Sequence, residues 1–395
     1  MSKLEQLINE LCPDGVEYKK IKEIAEVGTG GSNGNEAIEN GKYPFFIRSQ
    51  TVKSKDDWEY DEEALIIPGE GGIGEIYHYV NEKYAIHQRV YRIHFTTEIV
   101  NVKFAFYYFS SCFKAFILQK AVSATVTSIR KPMIEDFFIP LPPLPVQAEI
   151  VRILDNFTEL TAELTAELIA RKKQYEYYRD SLLTFGDEVM EWKELGSFGK
   201  VNMCKRILKE QTLDIGGVPF YKIGTFGKES NAYIPRELFD EYRSKYSYPK
   251  IGEVLISASG TIGRTVIFNG QDAYFQDSNI VWIENDETQV LNKYLFYSYK
   301  IAKWGISQGG TIQRLYNDNL KKTKIPIPYP NDSTKSLKEQ QRIVEILDRF
   351  DTLCNDITQG LPSEIEARKK QYEYYRDKLL TFPKAKLEVW YGKKF

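Results

Sequence analysis

The 395-residue chain carries 53 Lys and Arg against 55 Asp and Glu, a formal net charge of −2. This length predicts two or three domains with a sizeable core, and the near-neutral balance excludes a uniformly basic nucleic-acid-binding chain. Any site for nucleic acid must therefore be a local basic patch, or partners must supply part of the positive charge.

The predicted elements occur twice in one order. A short amphipathic helix, MSKLEQLINEL, precedes about 130 residues of short β-rich runs with glycine turns, which end in an aromatic-rich helix from Val102 to Phe116. A proline-rich segment from Ile139 then leads into a long helix. The same order returns, with an aromatic-rich helix from Leu291 to Ile301 and a second proline-rich segment from Ile325.

This repeat predicts a mixed α/β fold with an internal pseudo-two-fold repeat: two domains of short strands plus helices, separated by two long helices. The predicted boundaries are 1–143 for the first domain with its N-terminal helix, 144–185 for the first long helix, 186–335 for the second domain, 336–382 for the second long helix and 383–395 for a C-terminal tail.

The long helices show the periodicity of a coiled coil. Apolar residues step by three and four at Ile150, Ile153, Phe157, Leu160 and Leu164, and again at Ile343, Ile346, Phe350, Leu353 and Ile357. This spacing predicts that the helices pack against each other as an antiparallel pair. Gly360 and Pro362 predict a break in the second helix, with Ser363 capping the restart.

One stretch is nearly identical in both long helices. RKKQYEYYRDSLLTF begins at Arg171 and RKKQYEYYRDKLLTF begins at Arg368, with one difference in fifteen positions. Packing explains the recurring tyrosines and leucines, but not the recurring charges, which favour one kind of partner docking twice. A recent duplication is the alternative. The predicted docking residues are Arg171, Lys172, Lys173, Gln174 and Arg179 in the first copy, and Arg368, Lys369, Lys370, Gln371 and Arg376 in the second.

No catalytic centre is evident in the sequence. GEGGIG at 69–74 matches a dinucleotide-binding fingerprint, but a strand-like EIYHYV follows it where the fingerprint needs a helix, so a glycine-rich hairpin is the better interpretation. There is no Walker A loop, no HExxH pair and no adenine-methyltransferase NPPY-type tetrapeptide. The four cysteines are widely spaced, which favours reduced thiols in a cytoplasmic protein, and no apolar run reaches the ~20 residues of a membrane span.

The order of variable domain, IPLPPLPVQAEIVRILD and long helix with ARKKQYEYYRD, repeated once, resembles the DNA-specificity subunit of type I restriction–modification systems. TAELTAEL at 161–168 is similar to a tetrapeptide repeat of one subgroup of that family. The resemblance implies a non-catalytic subunit whose two target-recognition domains each read half of a split site in double-stranded DNA. Its helices would set the spacer and dock two methyltransferase subunits.

The resemblance also implies which groups lie elsewhere. S-adenosylmethionine, ATP and Mg²⁺ are expected on partner subunits, which include restriction subunits with translocase and nuclease activity, and no cofactor is expected on this chain. Two other functions stay open. One is a stand-alone endonuclease using Asp56, Asp57 and Glu59, and the other is a structural adaptor that binds only protein.

Base reading requires side chains with paired donors or acceptors on loops and strand ends. In the first domain the candidates are Arg48, Ser49, Gln50, His87, Gln88, Arg89, Ser123, Thr125, Thr127 and Arg130. In the second they are Lys222, Thr225, Ser259, Thr261, Arg264, Gln276, Ser278, Thr311, Gln313 and Arg314. Lys53, Lys55 and Lys228 are predicted to contact phosphate or solvent.

Overall fold

The structure, a computed structural model, describes residues 2–120, 128–184, 189–305 and 313–385. Its contacts divide the chain into two compact units, one of residues 1–165 with 364–395 and the other of residues 166–363. Each unit therefore combines one domain with helical segments from both halves of the chain. Within the described residues, no helix has the length and apolar character needed to cross a bilayer.

Ten α-helices occur among the described residues: α1 Lys3–Leu11, α2 Ile21–Ile24, α3 Val102–Lys120, α4 Lys131–Glu135, α5 Leu144–Thr184, α6 Arg236–Lys245, α7 Asn292–Ile301, α8 Asn317–Lys322, α9 Ser333–Asn355 and α10 Leu361–Leu379. The predicted N-terminal helix and both aromatic-rich helices are present. The break predicted in the second long helix is also present, between α9 and α10.

The described strands of the first half are β1 Glu17–Lys20, β2 Ala25–Thr29, β3 Tyr43–Phe46, β4 Lys53–Lys55, β5 Tyr60–Pro68, β6 His78–Ile86, β7 Val90–Phe95 and β8 Phe138–Leu141. Those of the second half are β9 Met190–Glu194, β10 Gly199–Asn202, β11 Val218–Tyr221, β12 Tyr233–Ile234, β13 Val254–Ser257, β14 Thr265–Ile267, β15 Tyr274–Phe275, β16 Ile280–Asn285 and β17 Lys324–Pro328.

The first domain is built on a six-stranded sheet in the order β2-β7-β5-β6-β3-β4. Among the described strand pairings of this sheet, only β3–β6 is parallel, with Phe46 opposite Ile86. The helix α3 packs on β5 and β6, and its Phe104, Phe109 and Phe113 are fully buried in the core. Alternate residues of β5 belong to different clusters: Leu65 and Ile67 join the core that contains α3, whereas Ala64 and Ile66 join a second buried cluster. Successive side chains of a strand point to opposite faces, so both faces of this sheet are covered.

The second domain has the same pairings around a divided sheet. Its strands form a four-stranded sheet, β10-β16-β13-β14, and a three-stranded sheet, β12-β11-β15. The parallel pairing recurs between β11 and β15, with Tyr221 opposite Phe275. The helix α7 packs on β13 and β14 and against α9, and Trp282 of β16 is fully buried.

Within each unit, the long-helix segments pack antiparallel through aromatic side chains. In the first unit, Phe157 of α5 stacks on Tyr375 of α10 with ring centroids 5.7 Å apart. In the second unit, Phe350 of α9 stacks on Tyr178 of α5 at 5.4 Å. The tyrosines of each repeated stretch therefore pack against the half of the chain that does not contain them. This exchange is a physical reason for their recurrence.

Two details of the predicted second helix are wrong. Ile357 was placed in the apolar seam but lies in the break and is 80% exposed, while Cys354 is buried instead. Ser363 was predicted to cap the restart, yet α10 already begins at Leu361 and the Ser363 hydroxyl donates to the carbonyl of Thr358. Proline, which lacks a backbone N–H, is tolerated at the second helical position because an N–H there would have no partner inside the helix.

Candidate nucleic-acid interface

Four loop segments of the first domain, residues 47–52, 69–77, 87–89 and 128–130, converge on one surface, here named the first loop cluster. The His87 N–H donates to the Phe46 carbonyl at 2.9 Å, so the segments that leave the parallel strands β3 and β6 run side by side. The Gly69 N–H donates to the Arg89 carbonyl at 2.9 Å, and the Ile129 N–H donates to the Gly69 carbonyl at 2.8 Å. Arg48, Arg89 and Arg130, three of the predicted DNA-contact residues, are exposed and are thus brought together on this surface.

A single carboxylate joins two of these arginines. Nη1 of Arg89 lies 3.0 and 2.9 Å from the two carboxylate oxygens of Glu70, and Nη1 of Arg48 lies 3.1 Å from one of them. The Arg89 hydrogen bonds, followed by the Arg48 hydrogen bond, hold the pKa of Glu70 below its usual range. Beside them lies an open cleft of about 270 Å³, lined by Gly34, Ile47, Arg48, Gly71 and His87.

His87 is a poorer candidate for base contact than its position suggested. Its side chain is buried, and its Nδ1 accepts the Arg89 N–H at 3.0 Å. Burial, followed by the nearby Arg48 and Arg89, lowers the pKa of His87, so the ring is held neutral. His87 therefore supports the loop that presents Arg89. The neighbouring Gln88 is exposed and donates to the side chain of Asn33 at 3.0 Å.

The Ser49 and Gln50 segment lies on the same surface, with Gln50 exposed and the Ser49 hydroxyl donating to the Thr51 carbonyl at 2.8 Å. Lys55 was predicted to contact phosphate or solvent, which is wrong. It is 8% exposed, and its Nζ lies 2.6 Å from Glu36 and 3.2 Å from Asp57. Its charge is therefore used inside the domain.

The second domain has an equivalent surface, the second loop cluster, formed by residues 222–228, 257–264, 276–279 and 313–318. The Gln276 N–H donates to the Tyr221 carbonyl at 3.0 Å, the counterpart of His87 and Phe46. The Leu315 N–H donates to the Ala258 carbonyl at 2.8 Å, which places the neighbouring Arg314 on this surface. Nη2 of Arg314 donates to the Ser278 carbonyl at 3.2 Å.

Two open clefts of about 510 and 440 Å³ meet in this cluster, and Ser278 and Arg314 line both. The larger cleft is also lined by Arg206, Lys209, Lys222 and Gln276. Arg206 was missed by the sequence analysis. Its Nε donates to Asp277 at 2.9 Å, and its side chain is 68% exposed. The signal was available, because Lys205, Arg206 and Lys209 are three basic residues within five positions.

Several predicted residues of the second cluster are used for internal bonding. Ser259 is buried and its hydroxyl donates to Asn279 at 2.8 Å, so it stabilises the loop and is a poor candidate for base contact. Nη1 of Arg264 donates to the Phe226 carbonyl at 3.0 Å, and the Gln276 amide oxygen accepts the Ile223 N–H at 3.0 Å. Exposed members of the predicted set are Lys222, Thr261 and Gln313.

Thr225 closes the turn that begins at Lys222, since its hydroxyl accepts the Lys222 N–H at 3.2 Å. Four predicted residues lie outside the described part of the chain: Ser123, Thr125, Thr127 and Thr311.

The two charged repeats present matching surfaces. In each copy an arginine donates to the glutamine three residues later, Arg171 to Gln174 at 2.9 Å and Arg368 to Gln371 at 3.1 Å. The last arginine of each copy is half-buried and bonds to the next residue, an aspartate. The exposed members of the predicted docking set are Lys172, Lys173, Lys369, Lys370 and Gln371. Tyr177 and Tyr374, which were not among the predicted docking residues, lie beside these lysines and are 69% and 63% exposed.

The carboxylates considered for a nuclease can be located in the described ranges. No group of three or more His, Cys, Asp or Glu side chains there is placed to hold a metal ion. Of the carboxylates considered for a nuclease, Asp57 pairs with Lys55 and Glu59 accepts hydrogen bonds from Ser32 and from the Gly31 N–H. The GEGGIG segment is a turn that leads into β6, as the hairpin interpretation predicted.

Comparison with known proteins agrees with this arrangement. The family model described as the type I restriction modification DNA specificity domain matches residues 13–172 and again residues 188–367. A putative type I restriction enzyme specificity subunit of Haemophilus influenzae is 49% identical over 389 residues, covering 93% of this chain and 96% of that protein. The EcoR124I/EcoR124II specificity subunit of Escherichia coli is 40% identical over 255 residues, covering 61% and 60%.

Among solved structures, the S subunit of a type I restriction–modification system from M. genitalium matches with a TM-score of 0.59 at 14% identity. It covers 93% of this chain and 96% of its own. A chain from a study of assembly and conformational transition of the type I restriction–modification system matches with a TM-score of 0.58 at 16% identity. These likenesses concern the fold. With two matches to the family model and a near full-length relative, this chain belongs to the type I restriction–modification DNA-specificity family.

Proposed function

We propose that this chain is the DNA-binding specificity subunit of a type I restriction–modification complex. The first loop cluster would read one half of a split DNA site and the second loop cluster the other half. The observation that carries this proposal is the equivalence of the two clusters, since both follow the ends of a parallel strand pair but present different side chains. Equivalent placement suits one docking geometry, and different side chains suit different bases.

The duplicated helix surface supports a proposal for the partners. Lys172, Lys173 and Tyr177 in one unit, with Lys369, Lys370 and Tyr374 in the other, offer one partner type two equivalent surfaces. Two methyltransferase subunits would dock there, carrying S-adenosylmethionine for adenine methylation. Restriction subunits would bring ATP and Mg²⁺ to the assembly. Native mass spectrometry of the co-expressed proteins should give two methyltransferases per chain. A saturated one-to-one complex would argue against duplicate docking.

The reading function is tested by mapping methylated adenines genome-wide in cells with and without this chain. We expect methylation at a split site that disappears when the chain is deleted. Purified complex should also retain that site over random duplex in a filter-binding assay. A complex that assembles but shows no sequence-dependent retention would identify the chain as a protein-only adaptor.

TAELTAEL would act as a ruler between the half-sites. It lies inside α5, which continues without a break through residues 161–168. One further TAEL adds about 6 Å of helix and a turn plus about 40°, against roughly 3.4 Å per base pair. Insertion after Leu168 should lengthen the unread spacer by one or two base pairs with unchanged half-sites. An unchanged spacer in an active complex would reduce TAEL to helix filler.

A further inference from the structure

Glu70 is an unexpected residue at the centre of a surface proposed to approach DNA. A carboxylate is repelled by phosphates, and this repulsion weakens binding unless the charge serves another purpose. Here both carboxylate oxygens accept hydrogen bonds from guanidinium groups: Oε2 from Arg48 and Arg89, and Oε1 from Arg89. The three side chains together carry a net charge of +1, where the two arginines alone would carry +2.

The backbone around Glu70 is tied to the segments that carry both arginines. The preceding residue, Gly69, donates its N–H to the Arg89 carbonyl at 2.9 Å. The following residue, Gly71, has a φ of +83°, and a Cβ there would lie 2.8 Å from the Arg48 carbonyl oxygen. Only glycine fits this conformation and this close approach without strain. The turn therefore holds the carboxylate at a fixed place between the two arginines.

The arginines keep donors available for a ligand. Among the described residues, the side-chain hydrogen bonds of Arg48 and Arg89 involve Nη1 alone. Nε and Nη2 remain on each guanidinium, and both side chains are about half exposed. A guanidinium edge with two N–H groups matches O6 and N7 of guanine in the major groove.

From this geometry we propose that Glu70 is a positioning residue for recognition of the first half-site. It holds Arg48 and Arg89 as a fixed pair whose remaining donors read guanine. This inference rests on the proposed function and adds a residue and a base class to it. If the arginines only contacted phosphates, the carboxylate would be a disadvantage, because it lowers the net positive charge of the group. Arginines that read bases gain from being fixed in one orientation.

The two roles predict different behaviour for Glu70→Gln, which keeps the shape but removes the charge. With the full chain in its methyltransferase complex, binding to random duplex should strengthen about two- to fivefold at low salt, since a repelling charge is lost. Discrimination between the wild-type site and duplexes with each guanine of the first half-site replaced should fall about tenfold, because the arginines lose their fixed orientation. Discrimination at the second half-site should not change.

Glu75→Gln is the matched control. Glu75 lies in the same segment, is exposed and pairs with Lys114 at 2.6 Å, away from Arg48 and Arg89. It should leave first-half-site discrimination at the wild-type value. Thermal unfolding of both variants tests whether Glu70 has a purely structural role. A purely structural loss would lower the unfolding temperature and would weaken random and specific binding together.

Three results would overturn the inference. These are unchanged discrimination in Glu70→Gln, a parallel change on specific and random DNA, and a first half-site without guanine. The proposed function would still stand in each case, provided that the wild-type complex binds its split site. Loss of sequence-specific binding by the wild-type complex would instead remove the proposed function itself.

Discussion

The two domains share a plan, but one keeps its central strand intact and the other breaks it. In the first domain, β6 runs for nine residues and pairs with β5 and with β3. In the second, the same path is divided between β14 and β15, with Phe268–Ala273 between them. The first domain therefore has one six-stranded sheet, whereas the second has two smaller sheets and an added helix, α6.

The contacts beneath the sheets are almost the same in the two halves. Gln147 and Gln340 are both fully buried, and each accepts a backbone N–H just before or at the start of the aromatic-rich helix. A lysine and a tyrosine of that helix bond to one aspartate of the long helix: Lys103 and Tyr107 to Asp155, and Lys293 and Tyr297 to Asp348. These polar contacts constrain how the aromatic-rich helix packs in each half, while the two loop clusters are free to differ.

The largest test of the comparison is to exchange a whole reading surface. Residues 14–140 would be replaced by the corresponding domain of a relative, with the long helices retained. Because the contacts between the aromatic-rich helix and the long helix are common to both halves, the complex should assemble. One half-site should then change completely while the other stays. Methylated-adenine mapping measures both half-sites. Changes in both would mean that the domains do not read independently.

The next test asks whether the buried glutamine contributes equally to the stability of both units. Gln147→Ala leaves the Asn101 N–H and the carbonyls of Ile99 and Pro142 without their partner. Gln340→Ala does the same to the Leu291 N–H and the Gln289 carbonyl. Each change should lower the free energy of unfolding of its own unit by about 2–3 kcal/mol, since buried polar groups lose hydrogen bonds.

Denaturant unfolding followed by hydrogen exchange assigns that loss to one unit or the other. Gln341→Ala is the control, because Gln341 is exposed and bonds only to Glu345 among the described residues. A loss shared by both units, or none in either, would contradict the view that each glutamine stabilises its own unit.

The sequence was a good guide to the helices and a partial guide to the loops. The helices follow from periodicity, because one apolar stripe must be buried whatever the partner. The place of Arg48, Arg89 and Arg130 on loops was predicted from the sequence, but their convergence on one surface is visible only in the fold. The burial of His87 and Ser259 was not predicted, because it depends on hydrogen-bond partners that loop position does not reveal. The Arg89 N–H donates to His87, and the Ser259 hydroxyl donates to the Asn279 amide oxygen.

Two further features lay beyond sequence reasoning for physical reasons. Glu70 becomes visible as a partner of two arginines only when segments 22 and 19 residues away are brought together. The sequence predicted the antiparallel pairing of the long helices, but which aromatic rings of the two halves meet also depends on tertiary packing. The periodicity of α5 is the same whichever aromatic residue of the other half it meets.

Arg314 tests whether the second loop cluster reads bases, as proposed for the first. Arg314→Ala should weaken binding to the specific site by about 1–3 kcal/mol if Arg314 makes a bidentate base contact. Random duplex should be affected much less. Arg236→Ala is a suitable control, since Arg236 lies on α6, pairs with Asp272 and lines neither of the two clefts. Equal losses on specific and random DNA would make Arg314 a phosphate contact.

The smallest expected effect comes from a position where the two halves carry opposite charges. In the QAEIVR and QQRIVE segments, Glu149 of the first half corresponds to Arg342 of the second. Glu149 is buried and bonds to Lys3 at 2.8 Å and to Arg152 at 2.7 Å. Hydrogen bonds from Arg152 and then Lys3 lower the pKa of Glu149 to about 2. This ion pair ties α1 to α5 in the first unit.

A lowered carboxylate pKa stabilises the folded state above the unfolded value of 4.5, and this stabilisation is lost as the pH falls towards about 2. Hydrogen exchange of the α1 amides should therefore show about 1 kcal/mol more protection in wild type than in Glu149→Gln at pH 6, because its cationic partners are largely exposed. The difference should shrink below pH 4.5 and vanish near pH 2. Glu10→Gln on the same helix should show no such dependence, since Glu10 is exposed. A difference between wild type and Glu149→Gln of the same size at pH 6 and at pH 2 would mean that the charge of Glu149 does not stabilise α1, and that the apolar packing of Leu4, Leu7 and Ile8 holds this helix instead.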